Sequence, residues 1–284
     1  MQIGCVLVAS QQKTEHTRKK HELGMSQSFR QPEILEIARS EGKVTVERLA
    51  DHFQVTVQTI RRDLTELAEA GKLDRVHGGA IYPSGVSNIG YEHRRGLNEN
   101  SKQVIATTCA QQIPEESSVF LNIGTSTEAV AGALLNHASL LAFTNNINVA
   151  NILVDNPGCE IVVTGGALRR TDGGLVGSQT IRAIEQFKYD YAIIGCSAVD
   201  EDGDLLDFDI QEVGVSQTII KQARKIFLVA DHSKIHRSAP ARICSLREID
   251  ACFTDLPLPA ELARKCADWG TQVILPEGLQ SSGS

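Results

Sequence analysis

Apolar positions recur in two rhythms along this chain, and each rhythm predicts a different kind of structure. In the first part they fall three and four residues apart, the helical period. Ile34, Leu35, Ile37 and Ala38 follow Pro32; Val46, Leu49, Ala50 and Phe53 follow Thr45; Ile60, Leu64, Leu67 and Ala68 follow Thr56. Pro32 suits a first helical turn, and Thr45 and Thr56 suit N-caps, where a hydroxyl accepts from a free backbone N–H. Three short helices are predicted, the first stopping at Glu41-Gly42-Lys43 and the last two separated by a turn at Gln54-Val55. Residues 73–81 then read as two extended pieces around His77-Gly78-Gly79, the punctuation of a tight hairpin. Three helices and a hairpin make a winged helix-turn-helix.

Beyond Gln112 the rhythm changes. Short apolar runs alternate with helical segments over residues 118–123, 128–135, 140–144, 149–154, 159–164, 191–196, 215–224 and 225–230. That alternation predicts an α/β domain with a mainly parallel sheet. Between the two patterns, residues 82–88 form a turn-rich linker. The charged stretch from Tyr91 to Lys102 starts a helix that continues through Val104, Ile105, Thr108 and Gln112 and bridges the domains. The predicted organisation is a disordered extension over 1–28, a winged helix-turn-helix over 29–82, a linker over 83–100, an α/β domain over 101–276 and a flexible tail over 277–284. The extension is polar and holds the basic cluster Arg18, Lys19, Lys20 and His21. It reads as a solvated or untranslated segment in preference to an arm on DNA, and Met25 offers an internal start.

Composition narrows the functional classes. At 284 residues, 42% hydrophobic and 22% charged, the chain has an ordinary soluble balance and length for two domains. It has no apolar run of about 18 residues and no basic segment ahead of an apolar stretch, so a membrane span and a signal peptide are both excluded and a cytoplasmic protein is predicted. Seven cysteines (Cys5, Cys109, Cys159, Cys196, Cys244, Cys252 and Cys266) are odd in number and far apart. They read as free thiols, without the close spacing of a zinc or redox motif. A net charge of −7 argues against indiscriminate nucleic-acid binding. Any DNA contact must come from a local cluster.

Such a cluster lies on the third predicted helix. Gln58, Arg61, Arg62 and Thr65 share the face opposite its apolar stripe. The N-terminal part of this helix enters the major groove in helix-turn-helix proteins, where arginine pairs with guanine and glutamine with adenine. Thr56, Thr59, Lys72, Arg75 and His77 complete the predicted DNA surface. Over residues 25–82 the charges nearly cancel, but Arg61, Arg62, Lys72 and Arg75 gather on the helix and wing. Two exposed arginines alone are compatible with plain solvation; the helix order, turn spacing and wing together point to DNA.

In the second domain, Ile123-Gly124-Thr125-Ser126-Thr127 joins an apolar strand to a helix beginning near Glu128. Such a turn offers backbone N–H groups and hydroxyls to an anion, or is an ordinary capped loop. Thr144-Asn145-Asn146 and Gly165-Gly166 end other apolar runs, and strand ends in an open parallel sheet share one crevice. Lys234 offers a cation for phosphate, or is a solvated loop lysine. An enzyme reading has candidate carboxylates in Asp207, Asp209 and Glu212 for proton abstraction or covalent attack. Asp200-Glu201-Asp202-Gly203-Asp204 lacks the glycine and terminal glutamate positions of a calcium loop and reads as a hairpin turn. His232 and His236, without a following glutamate and in a loop, do not read as a zinc site.

Arg30, Ile34 and Thr56-x-x-Thr59-Ile60-Arg61-Arg62-Asp63-Leu64 resemble the signature of the DeoR family of bacterial transcriptional regulators, and His77-Gly78-Gly79-Ala80 resembles its wing. The likeness continues through Asn122-Ile123-Gly124-Thr125-Ser126-Thr127, Thr144-Asn145-Asn146, Gly165-Gly166-Ala167-Leu168-Arg169, Asp172-Gly173-Gly174-Leu175-Val176-Gly177 and Asp231-His232-Ser233-Lys234, covering about residues 29–255. It implies an α/β sensor domain similar in fold to ribose-5-phosphate isomerase and coenzyme A transferases. It also implies a non-enzymatic repressor of a carbohydrate or glycerol catabolic operon, with no cofactor, binding double-stranded operator DNA as a homodimer or homotetramer. The effector set implied is Gly124, Thr125, Ser126, Thr127, Thr144, Asn145, Asn146, Gly165, Gly166, Arg169, Asp172 and Lys234. Residues 128–131, 134–137 and 144–151 are most similar to family members that govern glycerol 3-phosphate use. Glycerol 3-phosphate, or another sugar phosphate, is therefore the implied effector. An isomerase-like or transferase-like enzyme with an appended DNA-binding module, and an activator, are the alternatives.

Overall fold

The computed structural model describes residues 27–41, 43–76, 78–82 and 91–277. The chain divides between residues 83 and 84 into two units. The first is built from α1 (Gln27–Glu41), β1 (Lys43–Thr45), α2 (Val46–Phe53), α3 (Val57–Glu69), β2 (Asp74–Val76) and β3 (Gly79–Ile81). Helix α1 begins at Gln27, inside the segment expected to be a tail, so Pro32 is its sixth residue and not part of a first turn. There its missing N–H removes one helical bond. The two caps form as the sequence predicts: the Thr45 hydroxyl accepts from Arg48 N at 3.4 Å and the Thr56 hydroxyl from Thr59 N at 3.2 Å. Gln54, left-handed at φ 52°, ends α2 and makes the turn into α3.

Ile34, Ala38, Leu49, Phe53, Ile60, Leu64, Leu67 and Leu73 close over one core. The wing has a strand the sequence did not announce. Residues 43–45 pair with β3 in a sheet of order β1-β3-β2. Gly79 permits that pairing, because a Cβ there would lie 1.9 Å from the Val44 carbonyl oxygen.

The second unit opens with α4 (Tyr91–Gly96) and α5 (Glu99–Ala110), so part of the expected linker is helical. The single helix expected there is broken at Asn98, which is left-handed at φ 51°. In chain order follow β4 (Ser118–Leu121), α6 (Thr125–Ala133), β5 (Leu140–Thr144), α7 (Ile147–Leu153), β6 (Cys159–Val163), β7 (Ala167–Leu168), β8 (Leu175–Val176) and α8 (Ser178–Glu185). Next come β9 (Tyr189–Ile194), β10 (Ala198–Val199), β11 (Asp204–Asp207), α9 (Ile210–Gln222), β12 (Ala223–Val229), a 3-10 turn (His232–Lys234) and β13 (Ala241–Ser245). The chain then adds β14 (Ala251–Phe253), α10 (Ala260–Trp269) and β15 (Gln272–Ile274). Helix α6 starts at Thr125, three residues before the predicted Glu128.

Seven strands form a parallel sheet of order β15-β14-β12-β9-β4-β5-β6. Both faces are buried, as parallel sheets require. Phe120, Ala192, Ile194 and Leu228 enter one core while Val119, Leu121, Ile193 and Val229 enter the other. After β4 the chain lays β5 and β6 to one side, then returns to place β9, β12, β14 and β15 on the other. Strand order therefore reverses between β4 and β9, and a crevice opens at the carboxyl ends of strands at such a switch point.

Residues 200–203 turn between the antiparallel strands β10 and β11, as predicted, with Asp200 Oδ1 accepting from Asp202 N and Asp204 N at 3.0 and 2.9 Å. Among the described residues, no helix is long and apolar enough to cross a membrane and no His/Cys/Asp/Glu group is arranged to hold a metal. The six described cysteines are free thiols.

Candidate functional site

Each unit carries one site. In the first, α3 turns Ile60, Leu64 and Leu67 inward, which leaves Gln58, Arg61, Arg62 and Thr65 exposed on the opposite side. Thr56 and Thr59 hydroxyls meet at 2.9 Å at the helix start. Arg62 pairs with Glu66 at 3.0 Å across one helical turn. An exposed pair of this kind contributes only about 0.3–0.5 kcal/mol and yields readily to a stronger anion. Arg75, on β2, is half-buried; burial and the neighbouring Arg61 charge both lower its pKa. Its Nη1 is buried without a partner among the described residues. Two guanidinium groups side by side with an unused donor suit a phosphate oxygen. Lys72 is exposed before β2, and His77 lies outside the described residues.

Beneath this face lies a pair that sequence reasoning missed. Arg30 donates from Nε and Nη2 to the two Asp63 carboxylate oxygens, with Nη2–Oδ1 at 3.1 Å, and both side chains are buried. Arg30, met in the sequence only as part of a motif, thus ties α1 to the recognition-like helix. The signal was present: Asp63 falls in the apolar phase of α3, between Ile60, Leu64 and Leu67.

In the second unit a cleft forms at the switch point. Its walls are residues 123–126 after β4, residues 195–197 after β9, Asp207, Glu212 of α9, Lys234 and Arg94 of α4. The cleft is narrow and partly open to solvent. The first N–H groups of α6 have no acceptor within the helix and carry the positive end of its dipole. Lys234 closes a 3-10 turn capped by Asp231, whose Oδ1 accepts from Ser233 N and Asn98 Nδ2, each at 3.0 Å. Burial lowers the Lys234 pKa; Asp231 opposes that, while Arg237 and Arg94 add to it.

On the acidic side, Asp207 accepts from Ser197 Oγ at 3.1 Å. Glu212 is pushed up to about 7 by burial and by Asp207, against the pull of Arg169 and Arg94. Cys196 is pushed up to about 12 by burial, so its thiol is unreactive. The cleft therefore sets two cations and a helix start against two carboxylates.

Of the effector residues expected from sequence, Gly124, Thr125, Ser126 and Lys234 line this cleft. The others brace it. Thr127 Oγ1 donates to Asn122 O at 2.6 Å, Thr144 Oγ1 to Leu121 O at 2.7 Å, Asn145 Nδ2 to Leu175 O at 3.2 Å and Asn146 Nδ2 to Glu128 Oε1 at 3.1 Å. The Gly165 carbonyl accepts from Thr180 Oγ1 at 2.8 Å, and a Cβ on Gly166, whose φ is +139°, would lie 2.0 Å from that same hydroxyl. Arg169 stands one step behind the wall: it bonds Asp172 at 2.6 Å, Asp209 at 2.5 Å and Glu212 at 2.7 Å. Burial alone would lower its pKa, but Asp172 and Glu212 raise it above the usual range.

Asp207 and Glu212, named in sequence only for the enzyme alternative, do converge on the cleft, whereas Asp209 turns to Arg169. Arg94 was missed, because a charged, aperiodic stretch gives no sign of which charge will be buried. His232 donates no ligand geometry; its Nδ1 meets Asp255 Oδ2 at 2.6 Å.

Comparison with known proteins follows the same division. Residues 30–86 match the DeoR-like helix-turn-helix domain and residues 97–256 match the DeoR C-terminal sensor domain. The chain is 43% identical over 251 residues to the glycerol-3-phosphate regulon repressor of Escherichia coli (strain K12), covering 88% of this chain and 100% of that protein. It is 39% identical over 248 residues to the HTH-type transcriptional repressor CsqR of the same organism, covering 87% and 95%. A solved ribose 5-phosphate isomerase from Methanocaldococcus jannaschii aligns with 49% of this chain and 55% of its own at a TM-score of 0.37 and 13% identity. That likeness is too loose to inform function.

Proposed function

We propose that this chain, which belongs to the DeoR family of transcriptional regulators, is a DNA-binding repressor of a glycerol catabolic operon, released from its operator by glycerol 3-phosphate. The observation that carries the reading is the presence in one chain of an exposed basic helix face and a buried cleft where Lys234 and a helix start meet two carboxylates. Gln58, Arg61 and Arg62 read base edges, while Thr56, Thr59, Lys72, Arg75 and His77 hold the phosphate backbone. Two or four copies associate and present α3 to half-sites roughly 34 Å apart or a multiple of that.

The effector phosphate sits against Gly124, Thr125, Ser126 and Lys234, and its hydroxyls face Asp207 and Glu212. Thr127, Thr144, Asn145, Asn146, Gly165, Gly166, Arg169 and Asp172 hold the wall in shape. Binding favours an arrangement that fits the operator less well, by no more than the effector's difference in affinity for the two arrangements. An enzyme would need Glu212 free as a base; its bond to Arg169 favours sensing. No cofactor enters this reading.

Fluorescence anisotropy of the full chain on DNA from upstream of glycerol-utilisation genes, at fixed salt, tests it. Release by glycerol 3-phosphate, and not by glycerol or inorganic phosphate at equal concentration, is expected. Specific binding indifferent to glycerol 3-phosphate would remove the effector assignment and keep the DNA assignment.

A further inference from the structure

We propose that Arg94 is a phosphate-binding residue of the cleft, delivered by α4; this rests on the cleft being the effector site. Arg94 lines the cleft with Lys234 and Glu212 although α4 belongs to no strand–helix unit of the sheet. Its Nε is buried and has no hydrogen-bond partner among the described residues. The nearest carboxylate oxygen, Asp172 Oδ2, is 4.0 Å from Nη2, and Asp172 is already held by two bonds from Arg169, at 2.9 and 2.6 Å. A guanidinium that lines a cleft and keeps a buried donor unused is matched by a phosphate oxygen once it turns toward the cleft, and a buried donor left unmatched is unfavourable.

The placement of α4 gives the contact a consequence. Lys102 Nζ donates to the Arg94 carbonyl, Tyr91 OH donates to Glu128 Oε2 at 2.8 Å, and Asn98 Nδ2 donates to Asp231, the residue that caps the turn carrying Lys234. Segment 91–102 is thus fixed to the cleft walls on both sides of Arg94. It is also continuous in the chain with residues 83–90, which follow the helix-turn-helix unit. A phosphate that draws Arg94 from Asp172 toward Lys234 pulls on α4.

The test is calorimetric titration of glycerol 3-phosphate into the full chain, comparing wild type with Arg94→Ala, Arg94→Lys and Lys234→Ala, each checked for an unchanged melting temperature. Arg94→Ala is expected to weaken binding at least tenfold and to shift operator release, read by anisotropy, by the same factor, with operator affinity in the absence of effector within threefold of wild type. Arg94→Lys, which keeps the charge and loses the fork, should lie between the two. Competition by inorganic phosphate should weaken in parallel, which assigns the loss to the phosphate end. If both Arg94 variants bind within twofold of wild type while Lys234→Ala does not bind, Arg94 is no contact and the cleft assignment stands. If wild type and Lys234→Ala bind equally, or neither binds, the cleft assignment fails and this inference falls with it.

Discussion

The two units handle charge in opposite ways. On α3, Arg61 and Arg62 stand in solvent with one weak ion pair between them and Glu66. In the cleft, Arg94, Lys234, Asp207 and Glu212 gather on one lining largely withdrawn from solvent, with Arg169 bonded to Glu212 behind them. An exposed cation keeps its hydration, is screened by salt, and interacts with whatever anion approaches. A buried one must be matched group by group, and its protonation becomes part of the fold. The difference fits a division of labour in which one surface meets a long polyanion and the other discriminates a small molecule.

The sharpest break in that contrast is the Arg30–Asp63 pair, where the first unit buries two charges against each other. Asp63→Ala removes the carboxylate and leaves the Arg30 charge buried in its place. Breaking a buried pair from one side costs about 3–5 kcal/mol. Urea unfolding followed by circular dichroism should therefore show the first unit lost at clearly lower urea, with operator binding lost alongside. A loss below about 1 kcal/mol would mean that water reaches Arg30, and that the head is an exposed-charge structure throughout.

The second largest effect concerns the exposed face itself. Arg61→Ala should weaken operator binding by about 1–3 kcal/mol, roughly five- to 150-fold, and relax specificity at one base pair. Arg75→Ala should instead weaken all DNA alike and reduce the slope of log affinity against log salt by about one. Anisotropy on operator and scrambled duplexes over a salt series separates the two. Equal losses on both duplexes for Arg61→Ala would move that residue from base reading to backbone contact.

The same contrast governs what the sequence disclosed. The helix-turn-helix was legible because its signals are local: capping threonines at 45 and 56, an apolar stripe at helical spacing, and a basic face opposite it. What escaped notice there depends on partners distant in sequence, such as β1 pairing with β3 and Arg30 reaching 33 residues to Asp63. The α/β rhythm of the second unit gave the parallel sheet, and Gly124, Thr125 and Ser126 could be proposed from a strand–turn–helix pattern. The opposite wall could not, because residues 195–197 and Asp207 meet residues 123–126 only through strand order, and Arg94 comes from a stretch with no period. Sequence motifs also mixed two roles. Thr144, Asn145 and Gly166 mark strand ends where backbone groups must be matched or space is short, and a pattern of types does not tell a brace from a contact.

The smallest expected effect is a pH dependence confined to the buried site. Glu212 has an ordinary value of 4.5 and is pushed up to about 7 in the folded chain, first by burial and then by Asp207. Between those two values the folded state holds a proton that the unfolded state has released. The contribution of Glu212 to stability is therefore present below pH 4.5 and lost as pH rises toward 7. As pH rises through about 7 the folded cleft gains a negative charge, which opposes an anionic effector. Glycerol 3-phosphate itself titrates near pH 6, so the informative quantity is the affinity of wild type divided by that of Glu212→Gln, which still accepts from Arg169. That ratio should fall between pH 6 and pH 8 by at least about fivefold, because one close charge exerts ~1 kcal/mol even in bulk water and more in a cleft withdrawn from it. Operator binding in the absence of effector should show no such divergence, because Glu212 and α3 belong to different units. A flat ratio would mean that Arg169 keeps Glu212 ionised throughout, and that burial in the second unit changes which charges meet without changing when they are charged.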